Sequence, residues 1–86
     1  MEQYLSLRNL VSDLLEDSPL TSEEVIADVR HLMSAGEEGL AFDTMCSWIY
    51  EEILPIDLAY FERLVSAAQE LGNPRSIDKL DELVVD

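Results

Sequence analysis

His31 and Cys46 are the chain's only imidazole and its only thiol. A base and a nucleophile are what covalent catalysis needs, provided they lie side by side. Here they stand fifteen positions apart, in no recognised signature. One histidine and one cysteine also fall short of the four ligands of a structural zinc site. His31 falls near the end of an apolar-periodic segment, where the helix dipole tolerates a cation. Cys46 lies among apolar neighbours and reads as a small core side chain. Carboxylates are abundant, but they do not alternate in the pattern of a calcium-binding loop. Gly36 and Gly39 read as a helix end and a helix start, not as a phosphate-binding loop. No residue is expected to be catalytic, metal-ligating or cofactor-binding. The chain is read as a binder and not as an enzyme.

What remains is a pattern of carboxylates around aromatics between Arg30 and Pro55. The acidic corner Glu37-Glu38 opens a helix, where the dipole favours negative charge without any partner. The second pair, Glu51-Glu52, lies near the end of the same helix, where the dipole disfavours it. That placement costs stability and makes the second pair the better functional candidate. Trp48 and Tyr50 precede it, and an aromatic anchor beside acidic residues is a common build for an interface hot spot. Asp43 belongs to the same helix's polar strip, with Ser47 and Glu51 at four-residue spacing. The candidate partner-binding set is therefore Glu37, Glu38, Asp43, Trp48, Tyr50, Glu51 and Glu52.

Bulk composition fits this reading. Nineteen acidic residues face five basic ones in 86 residues, for a formal charge of −14. Such a surface repels nucleic acid and anionic lipid and attracts basic partners. A hydrophobic fraction of 48% is too high for a disordered chain. A single cysteine precludes an internal disulfide and points to a reducing, cytoplasmic setting. No signal peptide is visible, and no apolar run approaches the ~20 residues that span a bilayer.

The elements that must position these residues are helical. Residues 3–16 form helix one on Tyr4, Leu7, Leu10, Val11 and Leu14, with Leu5 and Leu15 widening the stripe. Asp17-Ser18-Pro19 breaks it. Thr21 caps helix two, Glu24 completes a capping box, and Leu20 with Val25 forms a staple. Val25, Ile26, Val29, Leu32 and Met33 are its buried stripe, ended by Gly36. Helix three runs from about Glu38 to Ile53 and is central. One face is Phe42, Met45, Cys46, Ile49 and Ile53, and Pro55 stops it. Asp57 caps helix four, which turns Leu58, Phe61, Leu64, Val65, Ala68 and Leu71 inward and ends at Gly72-Asn73-Pro74. Ser76 caps a short fifth helix using Ile77, Leu80, Leu83 and Val84. The expected fold is all-α, one domain over residues 1–86, a compact bundle of four main helices with a short fifth.

The order of signals from Val29 to Leu71 resembles the MafI family of bacterial immunity proteins. The resemblance is carried by His31-Leu32-Met33, Ala35-Gly36-Glu37 and Gly39-Leu40-Ala41-Phe42. It continues through Cys46, Tyr50-Glu51 and Leu54-Pro55-Ile56, and more loosely from Tyr60 to Leu71-Gly72. It covers about half the chain. Ser47-Trp48-Ile49 departs from the more polar stretch that such relatives carry there. The resemblance implies a small cytoplasmic protein that binds and neutralises a cognate polymorphic toxin, as contact-dependent growth inhibition immunity proteins do. Toxins of this kind are often RNases or DNases, and a nuclease presents a basic groove to phosphates. An acidic protein matches that groove by charge.

Two other readings compete. One is an acidic helical adaptor with a basic partner that is not a toxin. The other is an acyl carrier protein, since Asp17-Ser18-Pro19-Leu20 loosely echoes the Asp-Ser-Leu site of that family's prosthetic group. Proline follows the serine here, and the next helix starts too late for that site.

Overall fold

The computed structural model describes the backbone of residues 2–85 and the side chains of residues 6–85. The fold is an all-α bundle of four helices closed by two 3-10 turns. Its elements are α1 (Glu2–Glu16), α2 (Glu23–Ser34), α3 (Glu38–Glu51), β1 (Ile56–Asp57), α4 (Leu58–Leu71), the turns Pro74–Ile77 and Leu80–Leu83, and β2 (Val84–Val85). The radius of gyration, 11.9 Å, matches the value of about 12 Å for a compact chain of this length.

In α1 the stripe buries Val11, Leu14 and Leu15. The expected contributions of Tyr4 and Leu5 lie outside the described side chains. The helix ends at a Ser18 turn. The Ser18 hydroxyl donates to the Leu15 carbonyl at 2.8 Å and accepts from the Leu20 amide at 3.3 Å.

Helix α2 starts one residue later than expected. Ser22, not Thr21, is the N-cap, and its hydroxyl accepts from the Val25 amide at 3.4 Å. That shift moves Glu24 off the third helical position, so no reciprocal capping box forms. Leu20 and Val25 are both buried all the same. Val25, Val29 and Met33 follow one another at i, i+4, i+8 down the buried face. Gly36 takes φ 79°, and the Gly36 and Glu37 amides donate to the Met33 and Leu32 carbonyls. This is the glycine-based closure that satisfies carbonyls orphaned at a helix end.

Helix α3 is central, packing against α2, α1 and both 3-10 turns. Phe42, Met45 and Ile49 are fully buried, with Ala41 and Cys46 beside them. Ile53 departs from the expected face. The helix stops at Glu51, and Ile53 turns out to solvent, 74% exposed.

Helix α4 begins as expected. Asp57 Oδ1 accepts from the Tyr60 amide at 2.7 Å, and Ile56 is buried just before it. Leu64 and Ala68 face inward, but Leu58 is 56% exposed, contrary to expectation. It occupies the first helical position, outside the stripe that Tyr60, Leu64, Ala67 and Ala68 define. Tyr60 is the unexpected core residue. Its buried hydroxyl donates to the Leu14 carbonyl at 2.5 Å, which ties α4 to the last turn of α1.

The expected short fifth helix is present with 3-10 geometry, as two consecutive turns. Amides of Ser76, Asp78 and Glu82 donate three residues back, to Asn73, Arg75 and Lys79. Pro74 starts the first turn. Ile77, Leu80 and Leu83 recur every three residues, the period at which side chains eclipse in a 3-10 helix. Ser76 does not cap a helix. Its hydroxyl donates to Asp43 Oδ1 at 2.8 Å. The segment ends as β2, paired in parallel with β1 in the register Ile56↔Val84 and Asp57↔Val85.

Candidate partner-binding surface

Helix α3 carries five of the seven candidate residues, the other two stand at its caps, and its geometry divides them. Glu37 caps its start and Glu52 caps its end. At 1.5 Å per residue the two acidic ends lie about 20 Å apart. Trp48 and Tyr50, two residues apart, point to nearly opposite sides of the helix at about 100° per residue. The set is therefore distributed over separate faces and does not form one patch.

Burial divides it further. Glu37, Glu51 and Glu52 are exposed. Glu38 is only 7% exposed, and its Oε2 meets no hydrogen-bond donor among the described residues. Its position explains this, since Glu38 precedes Phe42 by four residues and Met45 by seven and so shares their face. Asp43 is half-buried and accepts from Ser76, so it holds the C-terminal segment in place. Glu38 and Asp43 thus have internal positions, in contrast to the free surface carboxylates expected.

Two grooves flank α3. The first, about 450 Å³, lies between α2 and α3. Trp48, 41% exposed, lines it with Val25 and Ala27, and the carboxylates of Glu24, Asp28 and Glu52 complete it. No lysine, arginine or histidine is among its lining residues. The second, about 320 Å³, runs between the end of α3 and the C-terminal segment, lined by Tyr50, Glu51, Ile53, Glu82 and Leu83. Sequence reasoning missed Glu24, Asp28, Ile53 and Glu82. Glu24 and Asp28 were findable as an i, i+4 pair just off the buried stripe of α2.

None of the chain's five lysine and arginine side chains lines either groove, although Lys79 borders the second through Tyr50. Arg63 Nη1 is 3.0 Å from Asp17 Oδ2, and its guanidinium stands 5.5 Å from the centre of the Tyr60 ring. Lys79 Nζ lies 5.6 Å from the centre of the Tyr50 ring. Arg75 and Lys79 line a small cavity beside Ser47 and Ser76. Arg8 and Arg30 share another with Ser12, Met33 and Ser34.

Neither sequence candidate for covalent chemistry is poised for it. Cys46 is 1% exposed, and burial, reinforced by the nearby charge of Asp43, pushes its thiol well above the usual range. A thiol held protonated is a poor nucleophile. His31 is exposed in the last turn of α2. The Ser18 hydroxyl is engaged in closing α1, four residues before the cap of α2. Among the described residues no group of three His, Cys, Asp or Glu side chains is placed to hold a metal ion. None of the described helices is long and apolar enough to cross a membrane. Comparison with known proteins matched no family model, no curated protein and no solved structure.

Proposed function

We propose that this protein is a cytoplasmic immunity protein of the MafI type, which binds a cognate toxin with a basic surface and blocks it by occlusion. The toxin is a nuclease in this reading. Its phosphate-binding groove supplies the basic surface that an acidic partner complements. The observation that carries the proposal is the segregation of charge. A chain of formal charge −14 places its cations on its own aromatics, on Asp17 or in side cavities. The grooves beside Trp48 and Ile53 are left with carboxylates and exposed apolar side chains. Desolvated apolar anchors within a charged rim are how small interfaces concentrate binding energy. The same surface repels phosphate, so the protein itself does not bind nucleic acid.

The test is a titration with the C-terminal domain of the protein encoded immediately upstream. It is run at low and at high salt, with nuclease activity measured alongside. Tight binding that weakens with salt and abolishes activity is the expected result. Binding that leaves the partner's activity intact, or binding of a basic partner without toxicity, selects the adaptor reading instead. A mass gain on Ser18 after incubation with coenzyme A and a phosphopantetheinyl transferase would select the carrier reading.

A further inference from the structure

We infer that the groove between α2 and α3 is a receptor for an arginine side chain of a protein partner, with the guanidinium stacked on Trp48 and bridged to carboxylates of both helices. The inference rests on the reading that the chain acts by binding a basic protein, and it names the chemical group that this groove takes.

The internal pattern of the fold supports it. Tyr60 carries Arg63 over its ring, and Tyr50 carries Lys79. Trp48 has the strongest cation-attracting face of the aromatic residue types. It is half-exposed, and neither cation–aromatic pair among the described residues involves it. Glu24 and Asp28 are spaced i, i+4 on α2, and Trp48 on α3 stands four residues before the C-cap Glu52, whose amide still donates to the Trp48 carbonyl. Residues four apart share a helix face, so each helix turns two of these groups toward the groove. The pair Glu24 and Asp28 is a like-charge pair at the spacing that weakens a helix. An incoming cation would relieve that repulsion.

Arginine fits better than lysine for two reasons. Its planar guanidinium stacks on an indole, and its several fixed donors reach carboxylates on different sides at once. An ammonium is a strongly hydrated point charge and gains less from the ring. The apolar surface of Val25 and Ala27 beside Trp48 suits the aliphatic stem of the side chain.

Trp48 is the only tryptophan, so its fluorescence reports on this groove alone. The probes are three blocked peptides of the same alanine- and glutamine-based sequence carrying two arginines, two lysines or two citrullines. Citrulline keeps the shape of arginine and removes its charge. At low salt the arginine peptide should change Trp48 emission saturably. The lysine peptide should bind several-fold more weakly, and the citrulline peptide should have no effect. The triple variant E24Q/D28N/E52Q should weaken the arginine peptide by about tenfold or more. The control D13N/E62Q/E70Q removes as much charge from exposed positions outside the groove and should leave binding within about twofold. Circular dichroism checks that both triples are folded. Equal titrations by arginine and lysine, or equal weakening by both triples, would show only net-charge attraction and overturn the inference. Unchanged emission with every peptide would overturn it too.

The upstream domain separates this inference from the function it rests on. If that domain binds the wild type and the groove triple alike, the arginine receptor is wrong and the immunity reading stands. If the arginine peptide binds as described and that domain does not bind at all, the groove stands and the immunity reading fails for that partner.

Discussion

Ile53 holds at the end of α3 the left-handed backbone that Gly72 holds at the end of α4, with φ 51° against 70°. The hydrogen bonds are the same in both. The Ile53 and Leu54 amides donate to the Tyr50 and Ile49 carbonyls, as the Gly72 and Asn73 amides do to Gln69 and Ala68. A β-branched side chain in that conformation is strained by roughly 1–2 kcal/mol, whereas glycine adopts it freely. Glycine's larger entropy in the unfolded chain returns part of the difference. Ile53→Gly should therefore stabilise the fold by about 1 kcal/mol, since the exposed side chain gives up little burial. Urea unfolding measures it. Under the proposed function the same variant should bind the toxin domain more weakly, because it removes an exposed apolar anchor. A loss of stability would mean that the isoleucine packs more than its exposure shows.

Burial changes what charge reversal at the ends of α3 can test. E37K/E51K/E52K alters exposed carboxylates only. It should weaken toxin binding and flatten its salt dependence while leaving the helical circular dichroism signal unchanged. Glu38→Lys should instead lower stability, because it puts a longer cation on the buried face and at the positive end of the helix dipole. A triple variant that binds as the wild type does, at low salt, would remove acidic steering from the mechanism.

Tyr60→Phe deletes one oxygen and leaves the Leu14 carbonyl without the donor it has now. An unsatisfied buried acceptor costs about 1–3 kcal/mol, a large share of the stability of a small domain. Chemical denaturation of the variant should show a loss in that range with the helical content retained. A loss below about half a kcal/mol would mean that water reaches the carbonyl.

Alkaline pH should unfold the protein through two groups. Burial raises Cys46 above its ordinary 9.0 and Tyr60 above its ordinary 10.0. Both are neutral when protonated, so the fold favours the protonated form. Their contribution is complete below pH 9. As pH rises past 9 and then 10 the unfolded chain loses these protons first, and stability falls. Cys46→Ala should flatten the first part of that decline in denaturation series between pH 8 and 11. Thiol reagents at pH 8 should modify Cys46 only in denaturant. Rapid modification of the native protein would place the sulfur nearer to solvent than the structure does.

Much of the fold is written in local signals. The spacing of Phe42, Met45 and Ile49 announces a buried face, and Gly36 and Gly72 announce helix ends by a conformation few other residues accept. Asp57 reads correctly as a cap because its carboxylate needs only the amide three residues on. The burial of Glu38 was equally legible, since the period that buries Phe42 passes through it, but charge argued against it. Ile53 was misread because it continues the face of α3 and because the left-handed cap normally calls for glycine. The strict three-residue spacing of Ile77, Leu80 and Leu83 signalled 3-10 geometry, yet it also fits a loose α-helical stripe. The grooves were legible only in pieces, as the Glu24–Asp28 pair and the run from Trp48 to Glu52. Their composition depends on which side of α2 meets α3, a tertiary choice that no single helix encodes.

The parallel pairing of Val84–Val85 with Ile56–Asp57 has a kinetic consequence. Its partners lie 28 residues apart, and the segment between Pro74 and Val85 is held by the Ser76–Asp43 hydrogen bond, the neighbouring Asn73–Gly39 bond, the buried side chains of Leu80 and Leu83, the partly buried Ile77 and Val84, and Lys79 on the Tyr50 ring. Closing so long a loop for so short a pairing gives little return until the four helices have formed. The segment should form last and open first, as a unit smaller than the whole protein. Amides from Ser76 to Val85 should then exchange hydrogen faster than those in the centre of α3. Each opening would dismantle the groove beside Ile53, which borrows Glu82 and Leu83, and would leave the Trp48 groove whole. The two faces of one helix would thus have different lifetimes, one intermittent and one permanent.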